Sequence, residues 1–291
     1  MRETAKRLLS AAVALPVYVY AIATDSFKNV PLLVVTLIVS LACLYEYYQI
    51  SDKGEGKRPF MTGGMVLGAV VTVAMYMFAF GRVYGYTSLF TGFDARVIFV
   101  LVTLALIYIF SVQIFKRPIA GGIYSTAVTL FGVVFFVFLF GHILFLKALK
   151  DGVLYIIIVH AVVMLNDTGA YFGGVHFGKH KAGFKVSPNK SWEGYFSGML
   201  VGIVAMMVAS QVCAVFFGKH LFNLLEAAIL GAVLCIVGNI GDLAESAVKR
   251  DGASKDSGSL IPGHGGVWDV FDSMIVTIPL FYYYLILKGV Q

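Results

Sequence analysis

One long apolar segment near the C-terminus carries polar side chains at helical spacing. The set consists of Asp242, Glu245, Ser246 and Lys249. Offsets of three, four and seven residues place side chains on one face of an α-helix. The face is acidic within the apolar run and becomes basic at its end with Arg250. Lys249 and Arg250 alone are equally consistent with a helix end stabilised by its dipole. Asp242 is harder to explain in that way. An acid within a membrane-spanning segment is costly unless it is paired, hydrated or bound to an ion, and its presence there points to a function.

Two further acids, Asp269 and Asp272, open the last apolar segment of the chain. They are three residues apart and therefore share a helical face. One acid in the first turn of a helix is ordinary capping, whereas two acids facing a third across a helix pair can hold a hard cation. Together with Asp242 they predict a Mg²⁺ site, since Mg²⁺ prefers carboxylate, water and phosphate oxygens.

A glycine-rich turn over residues 262–266 comes just before these two acids. Gly265 and Gly266 allow the backbone to approach a ligand closely and to offer N–H groups to a phosphate, and His264 is predicted to contact the ligand. The sequence has no GxxxxGK[ST] loop, so this is not a P-loop enzyme. The chemistry indicated is phosphoryl or nucleotidyl transfer. The cations predicted to neutralise a polyphosphate are Lys249, Arg250 and Lys255.

A second polar region runs from Asn166 to Gly194. Asn166 and Asp167 lie inside an apolar segment, and a polar pair there indicates a lined cavity. Four lysines follow in the loop, Lys190 among them, and membrane topology alone would explain basic loop residues. Ser191 is a candidate N-cap for the next helix.

The composition predicts an all-α polytopic membrane protein. The 291 residues are 59% hydrophobic and 13% charged, against about 25% charged in soluble domains. No dense basic arm suggests nucleic-acid binding, and the net charge of +6 suits anionic lipids or anionic ligands. Nine segments are long enough to cross a bilayer. They are 8–26, 29–50, 61–81, 95–115, 121–146, 153–175, 194–218, 222–248 and 267–288.

The distribution of basic residues predicts the orientation of these helices. With the N-terminus in the cytoplasm, fifteen of the 22 Lys and Arg residues fall in inside segments and seven in outside segments. Loops 176–193 and 249–266 then face the cytoplasm, where nucleotides are available. We expect residues 1–150 to hold spans one to five and residues 151–291 to form the catalytic region. The first span is interpreted as an uncleaved helix rather than a signal peptide, because eight spans follow it.

These motifs resemble those of the phosphatidate cytidylyltransferases, or CDP-diacylglycerol synthases. The resemblance covers most of the chain, and its C-terminal signature is specific in length and order. The family usually has Arg where this chain has Val270, and commonly has Lys and Thr where it has Asn189 and Ser191. The segments that carry the resemblance are Ser246-x-x-Lys249-Arg250, Lys255-Asp256, Pro262-Gly-His-Gly-Gly-x-x-Asp269-x-x-Asp272, NDTGAYFGGVHFGKHK from 166, SPNKSWEG from 187, KRLLSAAVALP from 6 and LYEYYQI from 44.

The resemblance implies a bacterial-type inner-membrane enzyme that transfers CMP from CTP to phosphatidic acid with Mg²⁺. Its implied partners are CTP, phosphatidic acid and membrane lipids, not nucleic acid, and a homodimer is left open. Asp242, Asp269 and Asp272 would hold the metal, and Lys249 and Arg250 would act on phosphates. The resemblance also implies a set of substrate-binding residues, which are Asn166, Asp167, Lys190, Ser246, Lys255, His264, Gly265 and Gly266.

Two other functions fit parts of the sequence. An ion-coupled secondary transporter would also use intramembrane acids such as Asp167 and Asp242, but its binding residues usually lie near the midplane of repeated halves. Here the polar residues cluster toward one membrane face and run into basic loops. A CTP-dependent lipid-alcohol kinase would use similar chemistry and would need a base to activate its hydroxyl substrate.

Overall fold

The computed structural model describes residues 2–81, 83–85, 96–261 and 265–290. The side chains of residues 2–11, 96, 98 and 99 lie outside this description, as does the predicted ligand residue His264. Within these ranges the chain is helical, as predicted. Its only β-type backbone pairing there consists of two isolated bridges, Lys181–Ser191 and Ile261–Gly265.

Ten α-helices follow one another across the described ranges. A 3₁₀ turn at Ser26–Asn29 leads into α2, and a π-helical segment at Val133–Leu139 joins α5 to α6. The helices are α1 (Arg2–Ala23), α2 (Val30–Ser51), α3 (Met61–Phe80), α4 (Arg96–Lys116), α5 (Gly122–Gly132), α6 (Phe140–Ala148), α7 (Gly152–Phe177), α8 (Trp192–Phe217), α9 (Leu224–Asp251) and α10 (Trp268–Leu287).

Seven helical segments among the described residues are long and apolar enough to cross a membrane, as expected of an integral membrane protein. The two other predicted spans coincide with α1 and α4, whose described apolar portions, Ala12–Ala23 and Val100–Lys116, are shorter. The count of nine spans and the cytoplasmic N-terminus therefore stay predictions. The seven segments are Ser26–Ser51, Met61–Phe80, Gly122–Ala148, Gly152–Phe177, Trp192–Phe217, Leu224–Asp251 and Trp268–Leu287.

The chain divides into two compact units. The first unit contains Met1–Leu149 and Val248–Phe271, and the second contains Lys150–Ala247 and Asp272–Gln291. Both α9 and α10 contribute residues to each unit, because the division falls within these two helices. The predicted acids are therefore described in two groups below, each with the unit to which it belongs.

Small residues hold α7 and α8 close together in the second unit. A Cβ added to Gly198 on α8 would lie 2.7 Å from the Asn166 carbonyl oxygen and 2.8 Å from Ala170 Cβ on α7. A Cβ added to Gly194, one helical turn earlier, would lie 2.9 Å from the Ala170 carbonyl oxygen. Such small-residue faces let helix backbones approach each other closely in membrane proteins. This packing fixes the position of Asn166 on α7 relative to α8.

An aromatic cluster anchors the start of α10 in the first unit. Trp268 is 1% exposed and its ring centroid lies 4.7 Å from that of Phe136 in the π-helical segment. Tyr47 of α2 lies 6.1 Å from Trp268 and 5.2 Å from Phe136. Edge-to-face and tilted aromatic pairs at these distances add to the free energy of burial. The first turn of α10 is therefore fixed against α2.

Candidate active site

Three carboxylates meet in the second unit. Asp242 and Glu245 come from α9 and Asp272 from α10, and one oxygen from each lies within 4.8 Å of the others. Gly241 allows the helices this close, since a Cβ there would lie 2.8 Å from the Asp272 carbonyl oxygen. Glu245 is 2% exposed. Three oxygen ligands this close together within apolar helices fit a hard divalent cation, which neutralises charge that would otherwise be costly to bury.

An amide cluster belongs to the same unit. Asn166 Nδ2 donates hydrogen bonds to Asp167 Oδ1 at 3.0 Å and to Asn239 Oδ1 at 3.2 Å. Asn166 is 1% exposed, and among the described residues no hydrogen-bond partner reaches its buried Oδ1 acceptor. An unpartnered buried acceptor is costly and is typical of a position that receives a ligand. Asn166 and Asp167 were predicted from the sequence. Asn239 was not, although it precedes Asp242 by three residues and so shares its helical face.

Lys190 connects the loop before α8 with the acids of α9. Its Nζ donates a hydrogen bond to Asp242 Oδ2 and lies 5.4 Å from the centre of the Tyr195 ring. Burial lowers the pKa of Lys190, but attraction to the Asp242 carboxylate and the hydrogen bond between them outweigh burial, so the pKa is raised overall. Lys190 therefore carries its positive charge at neutral pH.

Backbone hydrogen bonds place Lys190 at the end of its loop. The Lys190 carbonyl accepts from Ala182 N at 2.9 Å, and Trp192 N donates to the His180 carbonyl at 3.0 Å. Ser191 Oγ accepts from Gly194 N at 3.2 Å, which confirms the predicted N-cap of α8. The lysine is thus held by a closed loop and a capped helix.

Asp269 belongs to the first unit and has a dense set of donors there. Lys249 Nζ lies 2.7 Å from its Oδ1, and this ion pair is largely buried. Its Oδ2 accepts from Gly266 N at 2.7 Å, from Ser257 N at 3.0 Å and from Ser257 Oγ at 2.9 Å. Asp269 therefore fixes the two ends of the loop between residues 257 and 266.

The glycines of this loop are required by its geometry. Gly265 has φ of +90°, in the region that only glycine adopts readily. A Cβ there would also lie 2.7 Å from Asp269 Oδ2. A Cβ on Gly266 would lie 2.5 Å from Glu46 Oε2. The backbone of these glycines approaches carboxylates of the same unit, and its approach to a ligand stays a prediction.

Glu46 is a buried acid that the sequence reasoning did not single out. It lies on α2, is 2% exposed, and accepts hydrogen bonds from Val267 N and Trp268 N, both at 2.9 Å. Ser257 Oγ lies 3.2 Å from its Oε2. Two sequence features pointed to it. Glu46 is an acid inside a long apolar segment, as Asp242 is, and it lies within LYEYYQI, one of the segments that carry the family resemblance.

The remaining predicted residues lie nearer the surface. Ser246 is half-buried on α9 in the second unit. In the first unit Arg250 and Lys255 are exposed, and Arg250 Nη1 lies 3.4 Å from the Ser254 carbonyl oxygen. Cations at an exposed position can bind a dissolved anion such as a nucleotide phosphate.

Comparison with known proteins gives both a family and relatives. The model of a family described as "Cytidylyltransferase family" matches residues 5–287. A phosphatidate cytidylyltransferase of Staphylococcus epidermidis is 40% identical over 140 residues, which is 48% of this chain and 52% of that protein. Those of Staphylococcus haemolyticus and Staphylococcus aureus are 39% and 37% identical over the same shares. The chain thus matches about half the length of these curated relatives.

Proposed function

Because this chain belongs to the cytidylyltransferase family, we propose that it transfers CMP from CTP to phosphatidic acid and releases pyrophosphate. The product would be CDP-diacylglycerol, a precursor of phospholipids. The observation that carries the proposal is the group formed by Asp242, Glu245 and Asp272 within apolar helices. A carboxylate group at membrane depth suits a reaction between a charged nucleotide and the head group of a lipid.

The reaction needs positioning more than proton transfer. A phosphate oxygen of phosphatidic acid attacks the α-phosphorus of CTP, and the bond from that phosphorus to the oxygen bridging to the β-phosphate breaks. The electron pair leaves with pyrophosphate. Since the attacking phosphate is already an anion at neutral pH, no general base is required. The protein must align the two phosphates and offset their repulsion.

The acid group of the second unit is proposed to hold Mg²⁺ through Asp242 and Asp272, with Glu245 beside them. When bound, the ion would withdraw charge from phosphate oxygens and so ease attack at phosphorus. Asn166 belongs to the same unit, and its Oδ1, which has no hydrogen-bond partner in the described part of the chain, can accept a hydrogen bond from a ligand. Asp269 stays a predicted metal ligand on the basis of the sequence pattern.

Cations in each unit are proposed to bind phosphates. Lys190 is held by Asp242, so that its charge is fixed in place, and it can donate further hydrogen bonds to an anion. Lys249 and Arg250 at the end of α9 are proposed to bind the nucleotide phosphates, with Lys255 as an exposed contributor. Hydrogen bonds from cations to phosphate are about twice as strong as neutral ones.

The membrane setting is part of the proposal. With the N-terminus in the cytoplasm, loops 176–193 and 249–266 face the compartment that contains CTP. Phosphatidic acid would enter sideways from the bilayer and need not leave it. We infer that residues 151–291, with spans six to nine, form the catalytic region, in a bacterial-type inner membrane. A homodimer is left open.

The position of a labelled phosphorus in CTP tests this function against a kinase. Cytidylyl transfer puts an α-³²P label into lipid and sends γ-³²P into pyrophosphate, whereas a CTP-dependent kinase puts γ-³²P into lipid. We expect only the α label in the chloroform phase. Lipid carrying γ-³²P would overturn the proposal in favour of the kinase. Uptake of an ion or solute into vesicles without any labelled lipid would favour the transporter.

A further inference from the structure

The structure assigns a positioning role to Glu46, which we propose holds the loop and helix start that carry Asp269. The inference rests on the proposed function and deepens it, because it names a residue on which the binding of CTP and Mg²⁺ depends. The carboxylate is 2% exposed and lies within the candidate span Ser26–Ser51. A buried acid at such a position needs partners that compensate for lost hydration.

Backbone groups supply that compensation. Val267 N donates to Glu46 Oε1 and Trp268 N to Glu46 Oε2, both at 2.9 Å. These two N–H groups open α10, so they are among the donors that a helix leaves without an intrahelical acceptor. A carboxylate at a helix N-terminus is also favoured by the helix dipole. Glu46 thus acts as the N-terminal cap of a helix 222 residues further along the chain.

One hydroxyl links Glu46 to Asp269. Ser257 Oγ lies 3.2 Å from Glu46 Oε2 and 2.9 Å from Asp269 Oδ2. A hydroxyl has one proton to donate and can also accept, and Asp269 N lies 3.3 Å from the same oxygen. A change at Glu46 therefore reaches Asp269 through a single shared side chain.

The fit around the carboxylate leaves little room for movement. A Cβ on Gly258 would lie 2.6 Å from Glu46 Oε1, and one on Gly266 would lie 2.5 Å from Glu46 Oε2. The loop therefore approaches Glu46 from both of its ends. Tyr47, the next residue of α2, packs against Trp268 and holds the same helix start through its ring.

Glu46→Gln is the sharpest test because it preserves size and removes charge. The amide oxygen can accept from one backbone N–H, while the amide NH₂ faces the other donor. Glu55→Gln is the matched control, since Glu55 is exposed in the loop that follows α2. Gly258→Ala is an independent second variant that crowds the same carboxylate from the loop side.

Two readouts separate positioning from folding. We expect Glu46→Gln and Gly258→Ala to raise the CTP and Mg²⁺ concentrations needed for half-maximal rate by roughly tenfold, while the KM for phosphatidic acid stays unchanged. A purely structural role would lower the folded fraction and so the maximal rate, without moving these concentrations. Unchanged CTP and Mg²⁺ dependence in folded Glu46→Gln would overturn the proposal.

Hydrogen exchange gives a readout that does not need turnover. Peptides containing the Val267 and Trp268 amides should exchange roughly tenfold faster in Glu46→Gln than in the parent or in Glu55→Gln. Equal exchange in all three proteins would refute the capping role, whatever the activity. If the parent itself labels no lipid, the proposed function fails, and the exchange result still decides whether Glu46 holds this segment.

Discussion

Lys249 Nζ lies 2.7 Å from Asp269 Oδ1, so one of the acids predicted to bind metal is paired with a lysine within its own unit. The side chains are 13% and 16% exposed, where an ion pair is screened less by salt than at the surface. Asp269 also accepts hydrogen bonds from the backbone of Ser257 and Gly266. Its charge therefore organises the loop that contains Ser257 and Gly266.

Asp269→Asn should abolish turnover while the protein stays folded. The amide oxygen can still accept from the backbone of the loop, but the charge that pairs with Lys249 is lost. We expect the rate to fall by about 100-fold or more, as when one preorganised electrostatic contact is removed from an active site. Initial rates and thermal unfolding in detergent measure the two properties, with Glu55→Gln as the control. A normal rate in Asp269→Asn would contradict the prediction that Asp269 is a metal ligand.

Lys190→Met should weaken CTP-dependent catalysis by removing a charge-assisted contact. Such contacts contribute about 1.5–3 kcal/mol, so kcat/KM should fall about 10- to 150-fold. Lys185→Met is the control, because Lys185 is an exposed lysine of the same loop. If both variants lose activity equally, the loss comes from loop charge and not from the contact with Asp242.

The same variant also predicts a pH dependence of stability. The pKa of Lys190 is raised above its usual value of 10.5 despite burial, through Asp242. Its contribution is therefore fully present below pH 10.5 and is lost as pH rises through the higher folded-state pKa. The Tm difference between parent and Lys190→Met should be constant from pH 7 to about 10 and shrink as pH rises above 10.5. A difference that grows at alkaline pH would contradict the pairing.

Val270→Arg restores the residue usual in the resembled family and should be tolerated. Val270 is 42% exposed on α10, so a longer side chain can extend without entering the core. We expect stability to change by less than about 0.5 kcal/mol, as at most surface positions. The KM for CTP should fall, because a guanidinium adds a fixed cation for phosphate. Val270→Gln is the uncharged control, and an equal fall in KM there would exclude charge as the cause.

Gly198→Val should loosen the second unit. The added side chain would begin 2.7 Å from the Asn166 carbonyl oxygen, where backbone cannot easily move aside. Overpacking of this kind typically costs about 1–3 kcal/mol. Denaturation in detergent would measure the loss, with Val208→Leu as a control that adds volume at an exposed position of α8. Equal stability of the two variants would show that α7 and α8 can separate without cost.

Local patterns predicted the helices and the grouping of some candidate residues. The helical spacing from Asp242 to Glu245 placed both on one face, and the structure brings both together with Asp272. Ser191 was recognisable as an N-cap from its position between loop and apolar run. These features depend on residues close in sequence, or on the cost of placing charge in an apolar segment, and both can be read without coordinates.

Those local patterns could not predict contacts between residues that are far apart in the sequence. Glu46 and Val267 are 221 residues apart, and no periodicity relates them. The pairing of Lys190 with Asp242 spans 52 residues and depends on how the helices pack. That packing depends on steric fit at glycines such as Gly198. The helix propensity of individual residues carries no information about this fit.

The most direct test of the proposed function is transfer of cytosine-labelled CTP into lipid by the purified chain in liposomes. The assay contains phosphatidic acid and Mg²⁺, and the label is followed into chloroform. We predict a labelled product that forms only with phosphatidic acid and disappears when EDTA is added. No labelled lipid from folded protein, in both the parent and Val270→Arg, would contradict the assignment of this chain as a phosphatidate cytidylyltransferase.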